Sequence, residues 1–389
     1  MSNPDFIENN RITLLRNGDE YFPRLEAAIE SAHSEIYLET YIFAADATGH
    51  RIAVALQRAA LRGVSVHVLL DGFGSQHLPQ QILRNLLQAG VKVLIFRPEI
   101  AFTKFRRYRL RRMHRKLTII DASIAFVGGI NIIDDQHNPE NLSPRLDYAV
   151  AIQGPLLAQV HKAARHLWMI VAWVHFKRRW IAPIAIIPSN DPCGTQKAAF
   201  IIRDNWRHRH DIEHAYLQAI QYAHTEIIIA NAYFLPGKKF ATALKSAVKR
   251  GVRVILLLQG KVEYRLQYHA TQAMYKNLLQ AGIHIFEYNR SYLHAKVAVI
   301  DQNWSTVGSS NIDPFSLLLA REANVVIADP DFAQELRRSL HTTIADESEA
   351  VTINSQHIFS WHRNMLNTFC FYIVRLLQGI LGYDWHDNN

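Results

Sequence analysis

The chain has 389 residues, 49% of them hydrophobic and 20% charged, with a formal net charge of +9 and an isoelectric point near 9.5. That length exceeds what one hydrophobic core usually organises, so two domains or two fused halves are expected, and the composition excludes a disordered or fibrous chain. The basic balance asks for an anionic partner such as nucleic acid, an acidic bilayer or a phosphate-bearing substrate, while only two cysteines, Cys193 and Cys370, exclude a disulfide framework and fit a reducing compartment.

The N-terminal MSNPDFIENNRITLLRNGDE shows no basic segment followed by an apolar run, so no signal peptide is expected. Two helix-to-strand units follow, AAIESAHSEIYLETYIF (Ala27 to Phe43) and LQRAALRGVSVHVLLDG (Leu56 to Gly72), and then NLLQAG at Asn85 to Gly90. All three recur: LQAIQYAHTEIIIANAYF at Leu217 to Phe234, LKSAVKRGVRVILLLQG at Leu244 to Gly260, and an identical NLLQAG at Asn277 to Gly282. In LKSAVKRG the apolar residues fall at helical spacing, Gly251 is placed to supply a left-handed cap, and the run VRVILLL reads as a strand. Apolar strands alternating with amphipathic helices indicate an α/β fold with a largely buried sheet.

The repeat also carries MHRKLTIID (Met113 to Asp121) and LHAKVAVID (Leu293 to Asp301), each followed by a small-residue turn ending in Asn, FVGGIN (Phe126 to Asn131) and TVGSSN (Thr306 to Asn311). Spacing between matched blocks falls from 192 at NLLQAG to 180 at the two histidines, so the first half holds 12 extra residues, within FRPEIAFTKFRRYRLRRM (Phe96 to Met113). Six of the ten residues from Thr103 to Arg112 are Lys or Arg, interleaved with Phe105, Tyr108 and Leu110. The prolines and glycine of IAPIAIIPSNDPCG mark the join between halves. The expected division is 1–185, a linker at 186–199, a second half at 200–345, and an amphipathic, apolar tail at 346–389. Neither LWMIVAWVHF (Leu167 to Phe176) nor MLNTFCFYIVRLLQGILGYDW (Met365 to Trp385) offers the ~18 to 20 apolar residues of a spanning helix, so the chain is expected to lie on a membrane rather than cross it.

Residues two apart on a strand face the same way, so His114 projects with Lys116 and His294 with Lys296. Lysine neutralises phosphate oxygens, and histidine acts as nucleophile or proton carrier near neutral pH. Asp121 and Asp301 have the opposite parity and open turns (DAS, DQN), where an aspartate bonds backbone, so a structural role is expected of them. If the halves pack about a pseudo-two-fold, both histidines and both lysines converge on one pocket. Each histidine also needs a carboxylate to fix its tautomer; Asp147 in RLDYAV and Glu322 in REANVV occupy matching positions, and the plainer alternative is that they pair with Arg145 and Arg321. The cluster His208, His210 and His214 reads as a solvated helix start, not a metal site.

HRKLTIID with GGIN and HAKVAVID with GSSN resemble the paired HKD motifs of the phospholipase D superfamily. The order ETYIF, DGFGS, RRMHRK, GGIN, DYAV, RDN, NAYFLPG, LHAK, VGSSN and EANV is similar to bacterial cardiolipin synthases of the short type without N-terminal membrane helices. The resemblance implies two fused α/β/α sandwich halves with mixed sheets, one active site between them, and catalytic residues His114, Lys116, Asp121, His294, Lys296 and Asp301. It implies phosphoryl transfer through a phosphohistidine, with His114 as nucleophile and His294 as acid and base. Lys116, Lys296, Asn131 and Asn311 would hold the phosphoryl oxygens, and Ser309, where the first half has Gly129, would add a hydroxyl. No metal or cofactor is implied. The expected reaction moves a phosphatidyl group from one phosphatidylglycerol to another, giving cardiolipin and glycerol. The alternative is a phospholipase D-type hydrolase of phospholipids, or a phosphodiesterase or nuclease of the same superfamily. The expected partners are phosphatidylglycerol and an anionic membrane, with no nucleic acid, and the expected place is the cytoplasmic face of a bacterial inner membrane, held peripherally.

Overall fold

The computed structural model describes residues 4–98, 111–135, 144–180, 186–188, 190–204, 206–313, 320–355 and 360–380. In chain order the first half gives β1 (Ile7–Arg16), α1 (Asn17–Glu30), β2 (Glu35–Thr40), α2 (Ala47–Leu61), β3 (Ser65–Asp71), α3 (Gln80–Gln88) and β4 (Lys92–Phe96). It continues with β5 (Leu117–Ile120), β6 (Ile124–Gly128), β7 (Tyr148–Gln153) and α4 (Leu157–Val174). The second half repeats the series as β8 (Gln196–Arg203), α5 (Asp211–Gln221), β9 (Glu226–Asn231), α6 (Lys238–Lys249), β10 (Arg253–Gln259), α7 (Arg265–Gln280) and β11 (His284–Tyr288). Then come β12 (Lys296–Ile300), β13 (Trp304–Gly308), β14 (Glu322–Ala328) and α8 (Pro330–Glu347), with β15 (Ser348–Val351) and α9 (Trp361–Ile380) beyond the repeat.

The helix-to-strand turns follow from the sequence. Gly63 and Gly251 stand at φ +95 and +90, the left-handed backbone that ends α2 and α6 and lets the next strand turn back. Strands such as SVHVLLD and RVILLLQ are buried along nearly their whole length, as apolar runs covered on both faces must be.

Among the described residues fifteen strands join one sheet, in the order β15-β11-β10-β9-β12-β13-β14-β8-β1-β7-β6-β5-β2-β3-β4. Within each half a parallel trio (β2-β3-β4, β9-β10-β11) meets an antiparallel meander (β5-β6-β7, β12-β13-β14), which makes the sheet mixed. The halves meet where β1 pairs antiparallel with β8, at Ile7 with Ala198 and Asn10 with Gln196. One core lies under α1 to α3 and another under α5 to α7, while a third, lined by α4 and α8, takes residues from both halves.

Two segments differ from the expectation of a plain linker and tail. Gln196 to Arg203, at the end of the expected linker, is already sheet. Residues 348–351 add an edge strand to β11, and α9 buries Asn367, Cys370 and Val374 against α7 and the loop after β9. Among the described residues no helix is long and apolar enough to cross a membrane. The basic insert lies mostly outside the described residues, which resume at Arg111.

Candidate active site

Both histidines sit just ahead of the strand their motif feeds, His114 three residues before β5 and His294 two before β12. Lys116 is the last residue ahead of β5 and Lys296 the first of β12, so His114 and His294 lie in the loops that lead in. Each loop is fixed by a side chain from the strand end two places away in its own half: Asp71 Oδ2 accepts from Met113 N at 2.8 Å, and Gln259 Oε1 accepts from Leu293 N at 2.7 Å.

The same loops also pair across the halves. Met113 forms a parallel bridge with Arg321, and His114 N donates to Arg321 O at 2.9 Å; Leu146 bridges Leu293, and His294 N donates to Leu146 O at 2.8 Å. Each histidine is therefore placed beside the residue that precedes the other half's carboxylate. The consequence is a crossed arrangement: His114 Nδ1 lies 3.0 and 3.1 Å from the two oxygens of Glu322, and His294 Nδ1 lies 2.6 Å from Asp147 Oδ2. With Nδ1–H donated to a carboxylate, Nε2 of each ring is left as the basic atom.

The arginines offered as alternative partners are engaged elsewhere. Arg145 donates to Glu263 at 3.0 Å and stands 3.6 Å from Asp135, and the charges of Asp204 and Glu39 act on Arg321. Lys116 Nζ donates to His114 O at 2.8 Å and lies over the Tyr41 ring at 5.3 Å. Lys296 Nζ donates to His294 O and stands 3.9 Å from Asp147. Both ammonium groups are almost fully buried, and each acts electrostatically on the other, so the four side chains share one low-dielectric space.

Burial is the main cause of the shifts at this site. It holds Lys116 well below its ordinary value and lowers Lys296, with Glu322 and Asp147 opposing. It lowers His114 against the pull of Glu322, and it brings His294 to about 4, with Lys296 adding to the effect and Asp147 working against it. Burial works to raise the Asp147 carboxyl, but Lys296 and His294 outweigh it and hold that group below the usual range. The site's own groups thus favour neutral imidazoles beside an ionised Asp147, and a bound phosphodiester would draw protons onto rings and amines.

Asn131 and Asn311 close the loops after β6 and β13, and Gly128 N donates to Lys116 O, which puts the first loop at the lysine end of the strand. Asn131 Oδ1 accepts from Ile42 N at 3.1 Å. Ser309 requires a correction. Its hydroxyl donates to Glu322 Oε2 at 2.5 Å and accepts from Ala323 N at 3.0 Å, so it secures the carboxylate and has no donor left for phosphate. In the first half a Cβ at Gly129 would meet Asp147 Oδ1 at 2.1 Å, which explains the glycine: the shorter Asp147 occupies the volume that Ser309 fills beside Glu322.

Asp121 and Asp301 do not join the site. At the far ends of β5 and β12, Asp121 accepts from the backbone N–H of His33, Ser34 and Glu35, and Asp301 from those of His224, Thr225 and Glu226, all at 2.8 to 3.0 Å. They tie the helix-to-strand turn of each half to the strand that each His-x-Lys motif feeds. His208 and His210 pair with Asp211 and Glu213 at the start of α5, at 2.7 and 3.5 Å. Sequence reasoning missed Glu263, Tyr233 and Asp135. Tyr233 OH donates to Glu263 Oε2 at 2.6 Å, completing a polar group with Arg145 and Asp135 beside His294.

A family profile described as "Cardiolipin synthase, PLD-like domain" matches residues 25–168 and 216–344. The chain is 37% identical to cardiolipin synthase B of Escherichia coli (strain K12), over 97% of its own length and 90% of the relative's. It is 30% identical to cardiolipin synthase A of Pseudomonas fluorescens, over 96% and 76%. Among solved structures, a phosphatidylserine synthase from Haemophilus influenzae superposes with a TM-score of 0.69 over 94% of both chains at 13% identity, a likeness of fold.

Proposed function

The chain belongs to the cardiolipin synthase family with phospholipase D-like domains, and from that premise we propose that it is a phosphatidyltransferase that makes cardiolipin from two phosphatidylglycerols. His114 Nε2 attacks the phosphorus of the first lipid while His294 protonates the departing glycerol. His294 then takes the proton of the second lipid's glycerol hydroxyl, whose oxygen displaces His114. Lys116 and Lys296, with Asn131 and Asn311, hold the phosphoryl oxygens as charge builds on them, and Glu322 and Asp147 keep both rings in the attacking tautomer. The observation that carries this reading is the crossed pair of His–carboxylate bonds, because it supplies two equivalently prepared imidazoles from two halves around shared ammonium groups.

The partner proposed for the surface is an anionic bilayer. Trp361, Met365, Phe369, Tyr372 and Leu376 recur at helical spacing on α9 and remain exposed, although the opposite face of that helix is buried against α7. At the end of α4, Trp173, Val174 and Phe176 are exposed as well, with Arg178 over the Trp173 ring at 5.5 Å and Lys177 over Trp180 at 5.2 Å. Rings flanked by cations suit a headgroup boundary, where each Lys or Arg adds about 1 kcal/mol. A peripheral position on the cytoplasmic face of the membrane follows as part of the same proposal.

The test is incubation with labelled phosphatidylglycerol vesicles in EDTA, with products read by mass. Equal amounts of cardiolipin and glycerol are expected. Phosphatidic acid with glycerol and no cardiolipin would assign a hydrolase instead.

A further inference from the structure

The two histidines share a mirrored scaffold but not their surroundings. Near His114 the charged groups are dominated by guanidinium: Arg112 on Asp71 at 3.3 Å, Arg115 held bidentate by Glu39, and Arg203 and Arg321 behind them. Near His294 stand Glu263, Asp135 and Tyr233, with Arg145 bridging the two carboxylates.

This second group breaks the repeat. Counting along the matched blocks, the positions of Tyr233, Glu263, Asp135 and Arg145 correspond to Ile42, Ser75, Phe315 and Ala320 in the opposite halves. At each of these four positions the other half builds the same fold around a different side chain, so the scaffold does not require them. They also converge from both halves, Asp135 and Arg145 from the first, Tyr233 and Glu263 from the second. Arg145 adjoins Leu146, whose carbonyl accepts from His294 N, and the Glu263 charge acts on both His294 and Lys296.

The group is open at one end, because the Arg145 side chain is 30% exposed against 7% for Asp135 and 17% for Glu263. Its chemistry is that of a polyol clamp: carboxylate oxygens and the Tyr233 phenol oxygen, whose own proton goes to Glu263, accept hydroxyl protons, while a guanidinium donates to hydroxyl oxygens. Asp135 is raised to about 7 by burial, with Asp147, Asp134 and Asp46 adding to it and Arg145 opposing, so it too donates or accepts near neutral pH.

We propose that Glu263, Asp135, Arg145 and Tyr233 form the subsite for the glycerol headgroup, holding first the leaving glycerol and then the glycerol of the acceptor lipid beside His294. This rests on the phosphatidyl-transfer reading above. In the transfer step the acceptor oxygen forms a bond to phosphorus, its hydroxyl proton passes to His294 Nε2, and the phosphorus–nitrogen bond to His114 breaks with its electron pair returning to that Nε2. A subsite next to His294 is what gives that ring the acid and base role and leaves His114 the nucleophile.

The experiment uses the full chain on phosphatidylglycerol vesicles, measuring the ratio of cardiolipin to phosphatidic acid and the concentration of free labelled glycerol that half-saturates its exchange into the lipid. Glu263→Gln and Tyr233→Phe are compared with the unsubstituted chain, and each variant's melting temperature is recorded. Losing a hydrogen bond to a charged group is expected to lower the ratio and raise the half-saturating glycerol, each about tenfold for Glu263→Gln and less for Tyr233→Phe. An unchanged ratio and unchanged glycerol dependence in folded Glu263→Gln, or in Tyr233→Phe should the first variant fail to fold, would overturn the subsite while leaving phosphatidyl transfer intact. Absence of any glycerol release by the unsubstituted chain would overturn the transfer reading itself, and the subsite with it.

Discussion

Glu322 holds His114 across the two halves: the residues stand 208 apart in the chain, and the carboxylate spans Nδ1 of the ring at 3.0 and 3.1 Å. A carboxylate in that position fixes which nitrogen attacks and stabilises the positive charge the ring acquires. Glu322→Gln keeps the shape but accepts poorly from Nδ1–H, so the turnover rate should fall roughly 10²- to 10⁴-fold with no change in fold. Asp147→Asn should do the same through His294. Initial rates of cardiolipin formation, beside far-ultraviolet circular dichroism, test this; less than a threefold change in either variant would remove the carboxylate from the mechanism.

Gly129 and Ser309 occupy matching places and are not exchangeable. Gly129→Ser drives a side chain into Asp147, which must move away from His294, so activity should drop more than tenfold. Ser309→Gly loses one hydrogen bond to Glu322, about 1 kcal/mol or roughly fivefold in rate. Steady-state kinetics on the two single variants should show that inequality.

The repeat made much of this readable in advance. Helix, glycine and strand recur with the same residues, and the His-x-Lys spacing joins each histidine to its lysine, although the histidines lie in the loops that lead into the strands and not on the strands themselves. Asp147 and Glu322 could be singled out because both halves carry an acid at the head of the strand that follows the Asn-ended turn. Their crossed partnership could not, because it depends on the parallel bridges of Met113 with Arg321 and Leu146 with Leu293, contacts between segments far apart in sequence. Ser309 looked like a phosphate donor because its sequence neighbours do not reveal that Glu322 faces it from β14. Glu263, Tyr233 and Asp135 carried no signal in the repeat comparison, since their counterparts are dissimilar. The departure from symmetry was itself the signal that was available.

Asp121 and Asp301 should matter to stability and not to chemistry. Asp121→Ala removes the acceptor of three backbone N–H bonds and should cost about 2–4 kcal/mol, a fall of several degrees in melting temperature, with the activity of the remaining folded enzyme preserved. Burial works to raise the Asp301 carboxyl, and the backbone N–H groups of Thr225, His224 and Glu226 outweigh it, so its folded value lies below the unfolded one. Its contribution is therefore present above the unfolded carboxyl range, near pH 4, and is lost as acid titrates the folded form. Thermal melts of Asp301→Asn and the unsubstituted chain should converge on acidification.

The pH dependence of catalysis follows from His294. The proposed transfer needs that ring protonated in its first step, yet burial and Lys296 hold it to about 4. Above that value the protonated fraction of the free enzyme falls as pH rises, so kcat/KM should decline toward alkaline pH. A bound phosphodiester adds negative charge beside the ring and raises it, so kcat should stay level to higher pH than kcat/KM does. Parallel profiles for the two constants would contradict the neutral, buried imidazole.

The most direct test of two histidines acting on one phosphorus is to quench the enzyme in alkali while it turns over phosphatidylglycerol, digest it, and locate the phosphatidyl adduct by mass. The account predicts an adduct on the peptide that carries His114, none on the peptide that carries His294, and no adduct or cardiolipin with His114→Ala. Cardiolipin formed at the normal rate by His114→Ala or His294→Ala, or an adduct on neither histidine during turnover, would contradict it.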